Sequence, residues 1–233
     1  MAQKHPRSRR TRKQSADDGE DAFIASILDF SNWAKGNQQV LTVAAVVAAI
    51  LVAGGLYYNS YRSQLTNQAT EQLETIYQSV AISDIEGAKV DLATFLDRFG
   101  GTPYEAEARL LLGELYLESG EPQQAMAVLE PLGSSPRAAI ELQGAGLLAA
   151  AYEQEERWGE AEEAYLRIAD RSELDFQIRD ALAAAARIRA EHLDNPEGAV
   201  ELYEEVLAEL DENAPQRGLF EMRIQEIRSG QNG

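Results

Sequence analysis

The sequence predicts an all-α protein in which a single transmembrane helix precedes an α-solenoid of about four helical hairpins and a C-terminal capping helix. Three observations predict this fold class. They are an uncharged apolar run near the N-terminus, a helical period of apolar residues after it, and a motif that recurs at a nearly constant interval. The uneven distribution of charge supports the same division of the chain.

The formal net charge of -18 is the sum of unlike segments. Residues 1–13 carry +6 and residues 14–38 carry -4, whereas residues 39–61 carry no charge. The remainder, 62–233, carries -20. The basic cluster at the N-terminus consists of Lys4, Arg7, Arg9, Arg10, Arg12 and Lys13.

The uncharged segment contains the apolar run Val40–Tyr58. At about 1.5 Å of rise per helical residue, its 19 residues cover the roughly 30 Å hydrocarbon core of a bilayer. A cluster of tyrosines lies at one end and Trp33 precedes the other, as is typical of side chains at the membrane interface. We therefore predict a transmembrane helix over 39–61.

Two other interpretations of this run are weaker. A cleaved signal peptide would have small residues such as Ala53-Gly54-Gly55 after its apolar part, but signal peptides begin nearer the N-terminus and have shorter apolar regions. A buried core helix of a soluble protein rarely contains so many consecutive uncharged residues.

The basic cluster predicts the orientation of the span, because Lys and Arg are retained on the cytoplasmic side. The N-terminus is then cytoplasmic. In a bacterium the span lies in the inner membrane, and the acidic domain at 62–233 is periplasmic. The cluster could instead bind nucleic acid or anionic lipid, but it is short and has no interleaved aromatic residues. We expect no nucleic-acid partner.

The segment before the span has two predicted parts. Residues 1–20 form a basic and acidic tail without regular structure, and residues 21–38 form a short amphipathic helix at the membrane surface. The apolar residues of that helix are Phe23, Ile24, Ile27, Leu28 and Trp33. Within the span, small residues four apart would allow another helix to approach closely. They are Ala45, Ala49 and Ala53.

A motif recurs four times after Tyr61. Its clearest copy, Leu112–Leu132, places a small residue and a tyrosine three apart on one helix, then a Gly-containing turn, then an alanine early on a second helix. The second-helix alanines of the four copies are 37, 36 and 38 residues apart. This pattern resembles the tetratricopeptide repeat, whose hairpins bury their apolar faces only by stacking.

The resemblance assigns packing roles to small and aromatic residues where helices cross. They are Ala88, Gly113, Tyr116, Ala125, Ala149, Tyr152, Ala161, Tyr165, Ala199 and Tyr203. The first and last copies depart from the pattern, with Ile76 and Arg187 where the family has a small residue. Such departures are typical of terminal repeats. Residues 214–229 are predicted to form the capping helix.

Composition leaves little for catalysis. The chain has no cysteine and two histidines, which excludes thiol chemistry and Cys/His zinc sites, and it has no phosphate-binding loop. The acidic pairs Glu155-Glu156, Glu162-Glu163 and Glu204-Glu205 are predicted to be solvated helix faces. His192 is predicted to be a surface or helix-capping residue. We expect no enzyme activity, cofactor or metal.

Tetratricopeptide domains bind peptides or helices in a concave groove that is lined mainly by the first helices of the hairpins. The groove positions that the resemblance assigns here are Glu107, Leu110, Glu114, Leu117, Gln143, Glu153, Gln154, Ile188 and Glu191. A groove that mixes carboxylates with leucines favours basic or amphipathic segments. Ordinary exposed helix residues are the alternative interpretation.

The whole layout also resembles the YfgM-like ancillary subunits of the SecYEG translocon. Besides the architecture, the resemblance depends on Trp33-Ala-Lys-Gly-Asn37 before the span and on the closing Glu221-Met-Arg-Ile-Gln-Glu-Ile227. It implies a position beside the translocon and a periplasmic chaperone, with a role in receiving emerging envelope proteins.

The leading functional hypothesis is a non-enzymatic, membrane-anchored scaffold with translocon, chaperone or envelope-protein partners. An envelope-assembly or cell-division adaptor is an alternative of the same class. A subunit of a cell-wall enzyme complex, acting through Glu114 or Glu153, is the alternative of another class. The sequence leaves open whether the chain forms a homo-oligomer.

Overall fold

The computed structural model describes residues 33–230, which fold into helices joined by short turns. A helical turn at 33–36 precedes the first long helix. The helices, in chain order, are α1 (Gln38–Ala81), α2 (Ile85–Phe99), α3 (Glu105–Glu118), α4 (Pro122–Gly133), α5 (Ala139–Gln154), α6 (Trp158–Arg171), α7 (Asp175–Glu191), α8 (Pro196–Ala208) and α9 (Arg217–Gly230).

The predicted solenoid is confirmed, and no strand occurs between residues 33 and 230. The part of α1 after Tyr61 forms the first hairpin with α2, and the pairs α3–α4, α5–α6 and α7–α8 form the other three. From α2 onward each helix packs on the next along the chain, and α3 also packs on α5. Helix α9 packs on α8 and closes the last hairpin.

The chain divides into two compact units between Tyr61 and Arg62, so that α1 contributes to both. In the first unit, the described residues include an apolar stretch of α1 that is long enough to cross a membrane and has no buried residue. The predicted tail at 1–20, the basic cluster within it and most of the predicted helix at 21–38 lie outside the described residues.

The turns within the hairpins repeat one backbone conformation. Each contains one residue with positive φ: Ser83 (63°), Gly120 (72°), Glu156 (56°) and Asp194 (48°). In every hairpin this residue lies five positions before the second-helix alanine, so the backbone has the same phase as the sequence motif. Gly is the residue that adopts this conformation without steric cost, and only one copy has it.

Small residues allow the helices to approach closely at the centre of the solenoid. A Cβ atom added to Gly113 of α3 would lie 2.5 Å from Cγ of Leu129 in α4, and one added to Gly144 of α5 would lie 2.7 Å from Cβ of Leu132. Leu129 is 0% exposed, so it has no open space into which it could move. The first contact lies within a hairpin and the second lies between hairpins.

Polar links cross the junctions between hairpins. The Lys89 ammonium of α2, whose side chain is 5% exposed, lies 2.5 Å from Oε1 of Glu121 at the start of α4 and 2.6 Å from Oε1 of Glu86. Hydrogen bonds to Glu121 and then to Glu86 raise the pKa of Lys89 above its usual value. Arg228 of α9 and Glu204 of α8 form an exposed ion pair at 2.6 Å between the capping helix and the last hairpin.

Replacing Gly113 with alanine tests the close approach of α3 and α4. We expect the free energy of unfolding to fall by about 1–3 kcal/mol, because the added methyl group would overlap the immobile Leu129 side chain. Denaturant unfolding, followed by circular dichroism, measures this change.

The matched control is Gly146→Ala in α5, where an added Cβ meets no atom within 4 Å. That substitution should be neutral or stabilising by up to about 1 kcal/mol, since alanine favours a helix over glycine. Equal effects of the two substitutions would contradict the packing role of Gly113.

Candidate functional site

The candidate site lies on the first helices of the hairpins. We name the surface formed by α1 from Arg62, α3, α5 and α7 the first-helix face. Two side-chain links join neighbouring first helices on this face. The Tyr77 hydroxyl of α1 reaches α3, and the Arg187 guanidinium of α7 reaches α5.

The link between α1 and α3 lies at the acidic end of the first-helix face. The Tyr77 hydroxyl donates a hydrogen bond to Oε1 of Glu107 over 2.6 Å. Partial burial, together with the hydrogen bond and charge of Glu107 and the charge of Glu114, raises the pKa of Tyr77 to about 12. The neighbouring carboxylates of Glu107 and Glu114 make the electrostatic potential negative at this end.

The other predicted groove positions on α3 and α5 differ in exposure. Leu110 and Leu117 are half-buried on α3, while Glu114 lies exposed beside them. On α5, Gln143 and Gln154 are exposed. These residues combine apolar surface with hydrogen-bonding groups that face solvent. A surface of this kind can bind an amphipathic peptide.

Glu153 of α5 is the centre of a hydrogen-bonded cluster. Its Oε1 accepts a hydrogen bond from the Tyr165 hydroxyl of α6 over 2.8 Å, and its Oε2 accepts one from Arg187 over 2.6 Å. Burial and then the bond to Glu153 raise the pKa of Tyr165. Burial lowers the pKa of Arg187, but the hydrogen bond and charge of Glu153, together with the charge of Glu191, raise that pKa above its usual value. Glu153 therefore connects two hairpins.

The prediction for α7 is wrong at one position. Ile188 is 0% exposed, so its side chain is not available to a ligand. Glu191, one turn later, is exposed. The departure of this copy from the motif at Arg187 is explained by the ion pair with Glu153.

The residues with predicted packing roles lie in or beside the core. The small residues are all buried: Ala88, Gly113, Ala125, Ala149, Ala161 and Ala199. Of the aromatic residues, Tyr203 is buried, and the half-buried ones are Tyr116, Tyr152 and Tyr165. Tyr116 packs against the cores of both the first and the second hairpin.

The predicted solvated acidic pairs need one correction. The Glu162 side chain is 16% exposed and pairs with Arg189 of α7, which also donates to the Gly198 carbonyl oxygen over 3.2 Å. Glu162 is thus part of a junction between hairpins. His192, which ends α7, stacks on Trp158 at 3.5 Å between ring centroids with the ring planes 5° apart.

Three surface clefts lie away from the predicted groove residues. Clefts of about 430 Å³ and 230 Å³ border the turns at 134–138 and 172–174 and share Arg171, and one of about 450 Å³ lies between α8 and α9. Between residues 33 and 230, no group of three His, Asp or Glu side chains could hold a metal ion.

The sequence did not identify Tyr77, Arg187 or the arginines beside the clefts as candidate site residues. Tyr77 and Glu107 are 30 residues apart, and Glu153 and Arg187 are 34 apart. Both intervals are shorter than the 36 to 38 residues of the repeat, so a search for polar residues one repeat apart would have missed both contacts.

The role of Glu153 can be tested with Glu153→Gln. We expect the free energy of unfolding to fall by about 1–2 kcal/mol, because the substitution removes the carboxylate that pairs with Arg187 while keeping the shape of the side chain. Denaturant unfolding of Glu153→Gln, Arg187→Gln and the double variant would give the coupling energy of the pair.

Gln154→Ala is the control, because the neighbouring Gln154 is exposed and should change stability by less than about 0.5 kcal/mol. A Glu153→Gln variant as stable as the unmodified chain would contradict a role in joining the hairpins.

A family model described as "Tetratricopeptide repeat-like domain" matches residues 31–229. No curated protein matches the chain significantly. Solved structures support the same fold. A tetratricopeptide repeat protein from Parabacteroides merdae is 16% identical, with a TM-score of 0.58 over 70% of this chain. This chain spans 60% of the length of that protein.

A second similar structure is a protein of Podosopora anserina with nearly identical TPR-like repeats. It is 19% identical, with a TM-score of 0.55, and the match covers 72% of this chain and 88% of that one. A single-residue variant of the same protein gives the same values. At this level of identity the likeness is one of fold.

Proposed function

Because this chain belongs to the tetratricopeptide repeat-like domain family, we propose that it is a membrane-anchored scaffold that binds polypeptide segments and catalyses no reaction. The first-helix face supports the binding role. Its exposed residues Glu114, Gln143 and Gln154 lie beside the half-buried Leu110 and Leu117. Such a surface can accept hydrogen bonds, charge and apolar side chains from a partner segment.

The apolar stretch of α1 supports the anchoring role and is the observation on which this part of the proposal depends. Most of its large side chains are exposed by half or more, including Ile50 at 65% and Leu51 at 70%. A contiguous apolar surface of this extent is unstable in water and is typical of a membrane or protein interface. The length of the stretch and its lack of charge favour a bilayer over a protein interface.

The direction of insertion follows from the basic cluster at 1–13, which favours a cytoplasmic N-terminus. The repeat domain then lies in the periplasm of a bacterium. The resemblance to the YfgM-like subunits supports partners at the Sec translocon or among periplasmic chaperones. We propose that emerging envelope proteins, or a chaperone that receives them, contact the first-helix face.

Site-specific photo-cross-linking in intact membranes tests the binding role. A photoreactive residue at Glu114, Gln143 or Gln154 should form adducts with a small set of proteins that includes translocon or chaperone components. The same residue at Gln124 or Glu163, which lie on second helices, is the matched control and should not. Adducts with envelope-assembly or cell-wall enzymes alone would overturn the translocon assignment.

A topology reporter distinguishes failure of the anchor from failure of the binding role. A reporter fused after Gly233 should be active only outside the cytoplasm, and the chain should remain in the membrane fraction after alkaline extraction. A chain that is extracted in soluble form would contradict the anchor. Identical adducts from the first-helix and control positions would contradict the binding face.

A further inference from the structure

The turns that join one hairpin to the next lie together at one end of the helices, because successive helices are antiparallel. We name this end the inter-hairpin edge, formed by 100–104, 134–138 and 172–174. Arg62, the first residue of the second unit, belongs to it, since its guanidinium donates to the Gly101 carbonyl oxygen. The chain therefore enters the repeat domain at the inter-hairpin edge.

Two large apolar side chains protrude from this edge. Leu174 in the turn at 172–174 is 48% exposed, and Phe176 at the start of α7 is 54% exposed. They are two residues apart in the chain. Burial of either side chain in an apolar environment would be favourable.

Side chains of both charges lie near Leu174, including the exposed Glu173 and Asp175 on either side of it in the chain. Arg137, which is exposed, and Arg171 line the 230 Å³ cleft together with Leu174. Arg171 also lines the neighbouring 430 Å³ cleft with Arg167. Acidic side chains alternate with them: Arg171 lies 3.0 Å from Asp170 and Arg167 lies 3.6 Å from Glu163. The edge thus presents both signs of charge, as does the headgroup layer of a phospholipid bilayer.

We propose that the inter-hairpin edge rests on the surface of a bilayer. Leu174 and Phe176 enter the boundary between headgroups and acyl chains, while the guanidinium groups of Arg137 and Arg171 contact lipid phosphates. This inference rests on the proposed anchor, because the apolar segment ends at Tyr61, next in the chain to Arg62 of the edge. The contact would hold the repeat domain in one orientation on the membrane.

The absence of cysteine makes the proposal testable with single labels. We would place an environment-sensitive fluorophore at Asp175→Cys, an exposed position that leaves Leu174 and Phe176 intact. The full chain is reconstituted in vesicles of phosphatidylethanolamine and phosphatidylglycerol, with and without brominated lipid as a quencher. The label at 175 should show blue-shifted emission and strong quenching.

Two further labels serve as controls. Ile50→Cys reports insertion of the apolar segment and should be quenched. Ile82→Cys replaces an apolar side chain that is 78% exposed in a turn within a hairpin, at the opposite edge, and should remain unquenched. If the label at Ile50 is not quenched, the anchor itself fails. If that label is quenched and the label at 175 is not, the membrane contact of the edge is overturned.

Substitutions separate the two parts of the contact. Phe176→Ser should abolish most of the quenching at 175, and Arg137→Gln with Arg171→Gln should reduce it mainly in vesicles that contain phosphatidylglycerol. These side chains are on the surface, so circular dichroism should show an unchanged fold. The label at 175 could be shielded in native membranes but exposed in vesicles that contain no other protein. That result would overturn the proposal in favour of a protein partner.

Discussion

The structure depends on the close approach of neighbouring helices at small residues. Gly113 allows Leu129 of the second helix to lie against the backbone of the first, and the second-helix alanines, such as Ala125 and Ala161, are 0% exposed. A single hairpin cannot bury its own apolar surface, so each hairpin is stable only against its neighbours. The first-helix face and the inter-hairpin edge are both products of this stacking.

Charge is organised by the same stacking. Lys89, Arg187 and Arg189 each pair with a glutamate of a neighbouring hairpin, so that three of the 14 lysines and arginines at 62–233 lie at junctions. Acidic residues at the surface, such as Glu114, then dominate the potential of the first-helix face. A binding face of this kind attracts basic or amphipathic segments at long range and is weakened by salt.

The helical class, the number of hairpins and their phase could be predicted from the sequence. The alanines that recur at intervals of 36 to 38 residues mark positions where a larger side chain does not fit. Such a restriction on side-chain size can be recognised from the residue type at each position. The turn conformations share that phase although Ser83, Glu156 and Asp194 lack the expected glycine. There the packed helices on both sides impose the backbone conformation.

Less of the candidate site could be predicted from the sequence. Ile188 occupies a groove position of the motif, but its side chain is buried. Glu153 was predicted to be a ligand-binding residue, but both of its oxygens have partners on other helices. The bond to Arg187 joins residues 34 positions apart, and periodicity within one helix carries no information about such a contact.

The central claim is that the hairpins are stable through their neighbours, and hydrogen exchange of the full chain carrying Gly113→Val tests it most directly. The account predicts a joint loss of amide protection in α3, α4 and the adjacent helices α2 and α5, with α8 and α9 least affected. Loss of protection confined to α3, with full protection in α4 and α5, would contradict it.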